Sequence, residues 1–191
     1  MRLLMHTCCG PCSVYPLEKL SEEGHEVFGL FFNPNIHPYT EFKNRLDSAK
    51  LFYDLRGKKL IVIDEYPLEE FLRNCAFREN ARCIYCYSVR LERTALIAKK
   101  SGFDAFTTTL LVSPYQKHEL IKELGEAISK KYEIEFYYRD FREGFKEGRQ
   151  KAREIGLYMQ KYCGCIYSEK ERFYKRKNDK DLKAFEENLL L

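Results

Sequence analysis

A chain of 191 residues, 45% hydrophobic and 32% charged, is long enough to bury one proper core and short for two. No stretch nears the roughly 20 apolar residues of a membrane-spanning helix, and the apolar start of MRLLMHTCCGPC runs straight into cysteines, unlike a secretory leader. A formal charge of +4 permits nucleic-acid binding without demanding it. The expectation is a cytoplasmic protein, in which eight cysteines signal metal binding or redox chemistry rather than structural disulfides.

In chain order, residues 1–7 read as a short buried strand that stops at Cys8. Residues 11–20 have helical character, with Pro11 in the first turn, where a missing N–H costs nothing. A second buried strand is expected over 25–33, followed by the Asn33-Pro34-Asn35-Ile36-His37-Pro38 loop and an amphipathic helix over 39–55 that Gly57 stops. A third strand is predicted over 59–64 and a short helix over 67–74. A loop carrying Cys75, Cys83 and Cys86 then leads to a helix over 88–100. The β-branched run over 105–112 predicts a fourth strand, 117–131 a helix, 134–138 a fifth strand and 145–156 a helix. The charged tail, 169–191, reads as a peripheral surface helix.

Strands alternating with helices imply a single α/β domain over 1–191, with a mostly parallel five-stranded sheet flanked by helices and a helical C-terminal region. The arrangement resembles nucleotide-α-hydrolase or PP-loop-like folds. Ligands of such sheets sit beyond the carboxyl ends of the strands. Cys8-Cys9, the Asn33–Pro38 loop and Ser113-Pro114-Tyr115-Gln116 should therefore meet on one rim.

The cysteines form four groups: Cys8-Cys9-Gly10-Pro11-Cys12, lone Cys75, Cys83-Ile84-Tyr85-Cys86, and Cys163-Gly164-Cys165. Two Cys-x-x-Cys spacings far apart can supply four thiolates to zinc or to a [4Fe–4S] cluster. Iron–sulfur is favoured because Cys8-Cys9 stands where an α/β enzyme keeps its chemistry, whereas structural zinc usually sits away from it. Cys163-Gly164-Cys165 can close a strained, labile ring or can serve as further metal ligands. Cys75 has no partner at useful spacing and reads as a structural thiol.

The turn after the first strand has one glycine and three cysteines, and neither GxxxxGK[ST] nor GxGxxG occurs anywhere. That speaks against ATP or NAD bound through such loops. Asn33, Asn35 and His37 offer polar recognition from a proline-stiffened loop, or simply cap their own turn. Tyr115 and Gln116 are placed to meet a planar ring. Asp104 and Asp140 are candidate acids, and the basic stretch from Arg139 to Lys161 either meets RNA phosphates or is a solvated face.

HTCCGPC, FFNPNIHPYTEFKNR, RCIYCYSVRLERTA, TTTLLVSPYQKH and GLYMQKYCGCIYS, which run from residue 6 to about 168, together resemble the B12-independent epoxyqueuosine reductases of the QueH type. The resemblance implies the last step of queuosine synthesis, reduction of the epoxide of epoxyqueuosine at the wobble position of a tRNA anticodon. It implies a [4Fe–4S] cluster on Cys8, Cys9, Cys83 and Cys86, and a redox-active disulfide between Cys163 and Cys165. Cys12 is left for a further iron or other metal ion. Partners would be tRNA and an electron donor that the sequence does not identify, with no membrane and no stated oligomeric state. Proton donors would come from His37, Tyr115 or Tyr167. The competing classes are a zinc-stabilised RNA-binding module and an ATP-dependent tRNA-thiolating enzyme.

Overall fold

The computed structural model describes residues 1–174. Its elements run β1 (Arg2–His6), α1 (Gly10–Glu22), β2 (Glu26–Phe31), α2 (Tyr39–Leu55), β3 (Leu60–Val62), α3 (Leu68–Cys75), α4 (Arg82–Lys100), β4 (Ala105–Thr108), α5 (His118–Tyr132), β5 (Glu135–Phe136), α6 (Phe145–Glu154) and α7 (Ile166–Phe173). All strand pairs are parallel, in the order β3-β2-β1-β4-β5, with Met5 of β1 opposite Gly29 on one side and Thr107 on the other. The central strand is buried on both faces, so Leu3, Leu4 and Met5 are fully enclosed. A continuous apolar run is what that position requires.

Right-handed crossovers set α1 and α2 over one face and α4 and α5 over the other, and the packing of α1 on α2 and α6, and of α4 on α5, agrees. The order in which strands are added reverses between β1 and β4, so the carboxyl ends of these two parallel strands open the crevice in which such sheets hold ligands. α1 enters that crevice closely: a Cβ on Gly10 would stand 2.5 Å from the Ser48 carbonyl oxygen of α2.

Three expectations change at the boundaries. Cys83 and Cys86 lie on the opening turns of α4 rather than in a loop, and Cys75 is the last residue of α3. The run predicted as a strand over 105–112 leaves the sheet at Thr108, whose hydroxyl accepts from the Leu110 amide at 3.1 Å and caps a 3₁₀ turn over Thr109–Val112. That side-chain bond competes with strand pairing and wins, as threonine hydroxyls can. Most of the charged tail, residues 175–191, lies outside the described residues.

His37, in the Asn33–Pro38 loop, is 1% exposed and lies edge-on to Phe71 and Tyr66. Among the described residues neither of its ring nitrogens makes a hydrogen bond of normal geometry, and burial pushes its pKa down to about 4, against a weak opposing contact with the Pro34 backbone. The native imidazole is therefore neutral where the unfolded one, with a pKa of about 6.5, takes up a proton. Stability should fall as pH drops from about 6.5 towards about 4, by up to ~1.4 kcal/mol per pH unit from this group. A His37→Leu variant should show a shallower fall in its urea midpoint across that window, and an unchanged slope would refute the assignment.

Candidate active site

β1 delivers Cys8 and Cys9 to the rim, and Cys9 takes the N-cap position of α1 with no side-chain cap of its own. One helical turn on, Cys12 brings its thiol back to the same point. Among the described residues, Cys8, Cys9 and Cys12 are the one group of three or more His, Cys, Asp or Glu side chains whose ligand atoms all lie within 4.8 Å of one another, and all three are buried. Hydrogen bonds from the Cys12 and Cys9 thiols and from Thr109 hold Cys8 well below the usual thiol range, against the penalty of burial. Burial pushes Cys9 up, while Cys12 is raised by its bonds to Cys8 and Cys9. Negative charge in the trio is favoured on Cys8, to which the Thr109 hydroxyl donates at 3.3 Å. Gln160 Nε2 donates to Cys12 Sγ at 3.1 Å, leaving Gln160 Oε1 buried without a partner.

From the opposite face of the sheet, α4 presents Cys86 and Arg90. Arg90 is 2% exposed, donates from Nε to the Cys86 carbonyl at 2.8 Å and from Nη2 to Cys86 Sγ at 3.0 Å, and has no carboxylate within 4 Å among the described residues. Burial works against its charge, and the groups near enough to favour that charge once ionised are Cys86, Cys163, Cys8 and Tyr87, in that order. Arg90 therefore ties three of the four cysteine groups to one locus. Its charge adds to burial in pushing His6 down to about 3, so that imidazole stays neutral between Thr108 and Asn33, at 2.9 and 3.2 Å.

The Cys163-Gly164-Cys165 segment is clamped from behind. Arg45 of α2, 1% exposed, donates to the carbonyls of Cys163 and Tyr162 at 2.9 and 2.8 Å, and pairs with buried Glu41 at 2.7 Å. Tyr158 donates to the same carboxylate. The His37 amide donates to the Gly164 carbonyl at 2.8 Å, and Tyr162 donates to the His37 carbonyl. Gly164 has φ +142°, and a Cβ there would come within 3.2 Å of Arg45 Nη1 and 3.4 Å of the Asn35 amide. The two thiols face different ways. Cys163 accepts from Gln116 Nε2 at 3.3 Å and lies at the surface of a cavity, while Cys165, 6% exposed, accepts from the Ser168 amide at 3.4 Å. Cys75 is buried and close enough to Cys165 and Cys83 that, after burial itself, their charges help push it up to about 11. The thiol with no partner in sequence thus has neighbours in space.

A cavity of about 520 Å³ is lined by Cys8, Cys12 and Thr109 together with Cys163, Tyr115 and Gln116. Its size suits a single nucleoside. Tyr115 and Gln116 are on its wall, although both ends of the Gln116 amide are engaged, by Cys163 and by the Tyr87 hydroxyl at 2.8 Å. Asn33, Asn35 and His37 are not on it. They lie buried behind the Cys163–Cys165 segment, where Asn33 donates to the Thr7 carbonyl at 2.9 Å. The candidate acids are also engaged in structure: the Arg2 amide donates to Asp104, and Arg142 holds Asp140 down to about 2. Arg45 closes the segment FFNPNIHPYTEFKNR and Arg90 lies within RCIYCYSVRLERTA, but spacing gives neither a role, since a buried arginine on a helix has the same spacing as a solvated one. Only Arg90's position four residues after Cys86, on one helical face, hints at it.

A protein-family profile described as Epoxyqueuosine reductase QueH matches residues 3–171. An Epoxyqueuosine reductase QueH of Dehalococcoides mccartyi is 36% identical over 174 residues, covering 91% of this chain and 96% of that one. Its counterpart from Thermotoga maritima is 34% identical over 183 residues, covering 89% and 91%. A solved structure described as a predicted subunit of tRNA methyltransferase from Methanocaldococcus jannaschii superposes with a TM-score of 0.53 at 16% identity, over 81% of this chain and 76% of that one. At that identity the likeness is one of fold.

Proposed function

Because the chain belongs to the epoxyqueuosine reductase QueH family, and so is an oxidoreductase with a tRNA substrate, we propose that it removes the epoxide oxygen of epoxyqueuosine by a two-electron reduction fed from Cys163 and Cys165. The balance closes. Two thiols becoming one disulfide release two electrons and two protons, which convert the epoxide to an alkene and water. An external donor of unidentified kind then reopens the disulfide.

Cys8, Cys9, Cys83 and Cys86 are the proposed holders of a [4Fe–4S] cluster, with Cys12 available to a further iron or other metal ion. Bound there, such a cluster supplies one-electron transfer. The observation that carries this reading is Arg90, a fully buried cation with thiols where a carboxylate would be expected. An uncompensated buried charge costs several kcal/mol, and thiolates gathered on a metal centre supply the missing negative charge. The residues around the cavity have separable tasks. Arg45 fixes the backbone of Cys163, Gln116 orients its thiol, and Gln160 holds the Cys12 thiol. The HTCCGPCS turn, with its single glycine, supports reduction over ATP-dependent thiolation.

Anaerobic purification and metal analysis test the centre: the expected protein is brown and contains iron. Zinc without iron would sink the cluster and favour the RNA-binding module. A Cys163→Ser, Cys165→Ser double variant should retain its iron and lose turnover on epoxyqueuosine tRNA driven by a chemical reductant. Full turnover would remove the dithiol from the reaction.

A further inference from the structure

An enzyme that works on one base of a folded RNA must receive it out of the stack, and a 520 Å³ cavity admits a nucleoside but not a helix. The nucleotides on either side then remain outside and need a surface. Tyr115 stands at the mouth, 84% exposed. Its ring meets the edge of Phe145 at 5.8 Å, and the Arg149 guanidinium lies over Phe145 at 5.6 Å. All three line the cavity that Cys8 and Cys163 also line. An exposed ring with a second ring and an arginine beside it matches what single-stranded RNA binds: an aromatic face for a base and cations for the backbone.

The charge at the mouth points the same way. Arg149 and Lys161 both line the cavity, and neither has a carboxylate within 4 Å among the described residues. The acidic side chain on the lining, Glu171, is held by Arg82 at 2.6 Å, and buried Arg45 is matched by Glu41. The uncompensated charge facing the mouth is therefore positive. Tyr115 is also anchored relative to the chemistry, because the next residue, Gln116, bonds Cys163 Sγ.

We propose that Tyr115, Phe145, Arg149 and Lys161 form the docking surface for the single-stranded anticodon loop: a base flanking the reacting nucleotide stacks on Tyr115, and the adjoining phosphates meet Arg149 and Lys161. This rests on the reductase reading, and its test does not use the reaction. The probe is an unmodified, fluorescently labelled anticodon stem-loop RNA, with affinity followed by anisotropy across a salt series. Tyr115→Ala should weaken binding about tenfold or more, the worth of one base–aromatic stack, with little change in salt slope. Tyr115→Phe should bind as the parent does. Arg149→Ala and Lys161→Ala should each lower the slope of log affinity against log salt by about 0.7, one single-strand phosphate contact. Lys50→Ala, on the exposed side of α2, should leave affinity and slope unchanged. Parent affinity in Tyr115→Ala, or slopes unaltered in both cation variants, overturns the docking surface while leaving the reductase intact. A parent protein that binds the loop but never reduces epoxyqueuosine tRNA would instead sink the reductase reading and leave the surface standing.

Discussion

Replacing Arg45 by leucine should destabilise the protein by about 3–5 kcal/mol, the range for breaking one partner out of a buried ion pair. Arg45 and Glu41 are almost wholly enclosed, at 2.7 Å, so the variant strands a carboxylate that, among the described residues, keeps only the Tyr158 hydroxyl to solvate it. It also frees the carbonyls of Tyr162 and Cys163, loosening the segment that holds the dithiol. Chemical denaturation under reducing conditions measures the first effect. An Arg45→Leu, Glu41→Leu double variant separates the two. It should recover much of the stability, since no buried charge remains, yet stay impaired in turnover because the clamp is gone. Equal stability losses in the single and double variants would show that the pair is not the source of the cost.

Arg90→Met is expected to act with opposite signs in the two forms of the protein. Without metal, the substitution removes a buried guanidinium that has no carboxylate and fills its volume with an apolar chain, which is neutral or stabilising. With metal, it deletes a donor to Cys86 Sγ and the positive charge facing Cys8 and Cys163. Loss of such supporting contacts typically lowers metal affinity 10–100-fold. Urea midpoints of the metal-free protein and chelator competition on the loaded one give the two signs. A variant destabilised without metal and unaltered in metal affinity would make Arg90 merely structural.

These two arginines mark the boundary of what the sequence discloses. The alternation of apolar runs with amphipathic segments is a local signal, and it gave five strands in parallel with Cys8 and Cys9 at a strand end. The site is assembled by contacts that span the chain: Arg45 reaches Cys163, and Gln160 reaches Cys12. No periodicity encodes such pairs. Cys83 and Cys86, expected in a loop, open a helix although Arg-Cys-Ile-Tyr-Cys-Tyr is rich in residues of modest helix propensity. Packing of α4 against β1 and β4 overrides that preference. The proline loop read as a substrate contact became a buried brace, because rigidity and polarity serve both tasks and sequence does not tell which way a side chain turns.

The opposed helices at the rim have a consequence for electron transfer. α1 begins beside Cys9 and α4 begins at Arg82, beside Cys83, so two helix N-termini approach the cysteine locus from opposite faces of the sheet. Each terminus acts as about half a positive charge within its first turn, and Arg90 contributes a full one. Together they form a standing electrostatic well, and adding an electron to a centre at its bottom costs less than in a neutral environment. For the proposed cluster, the fold itself would therefore favour the reduced state, before any ligand's chemistry is considered.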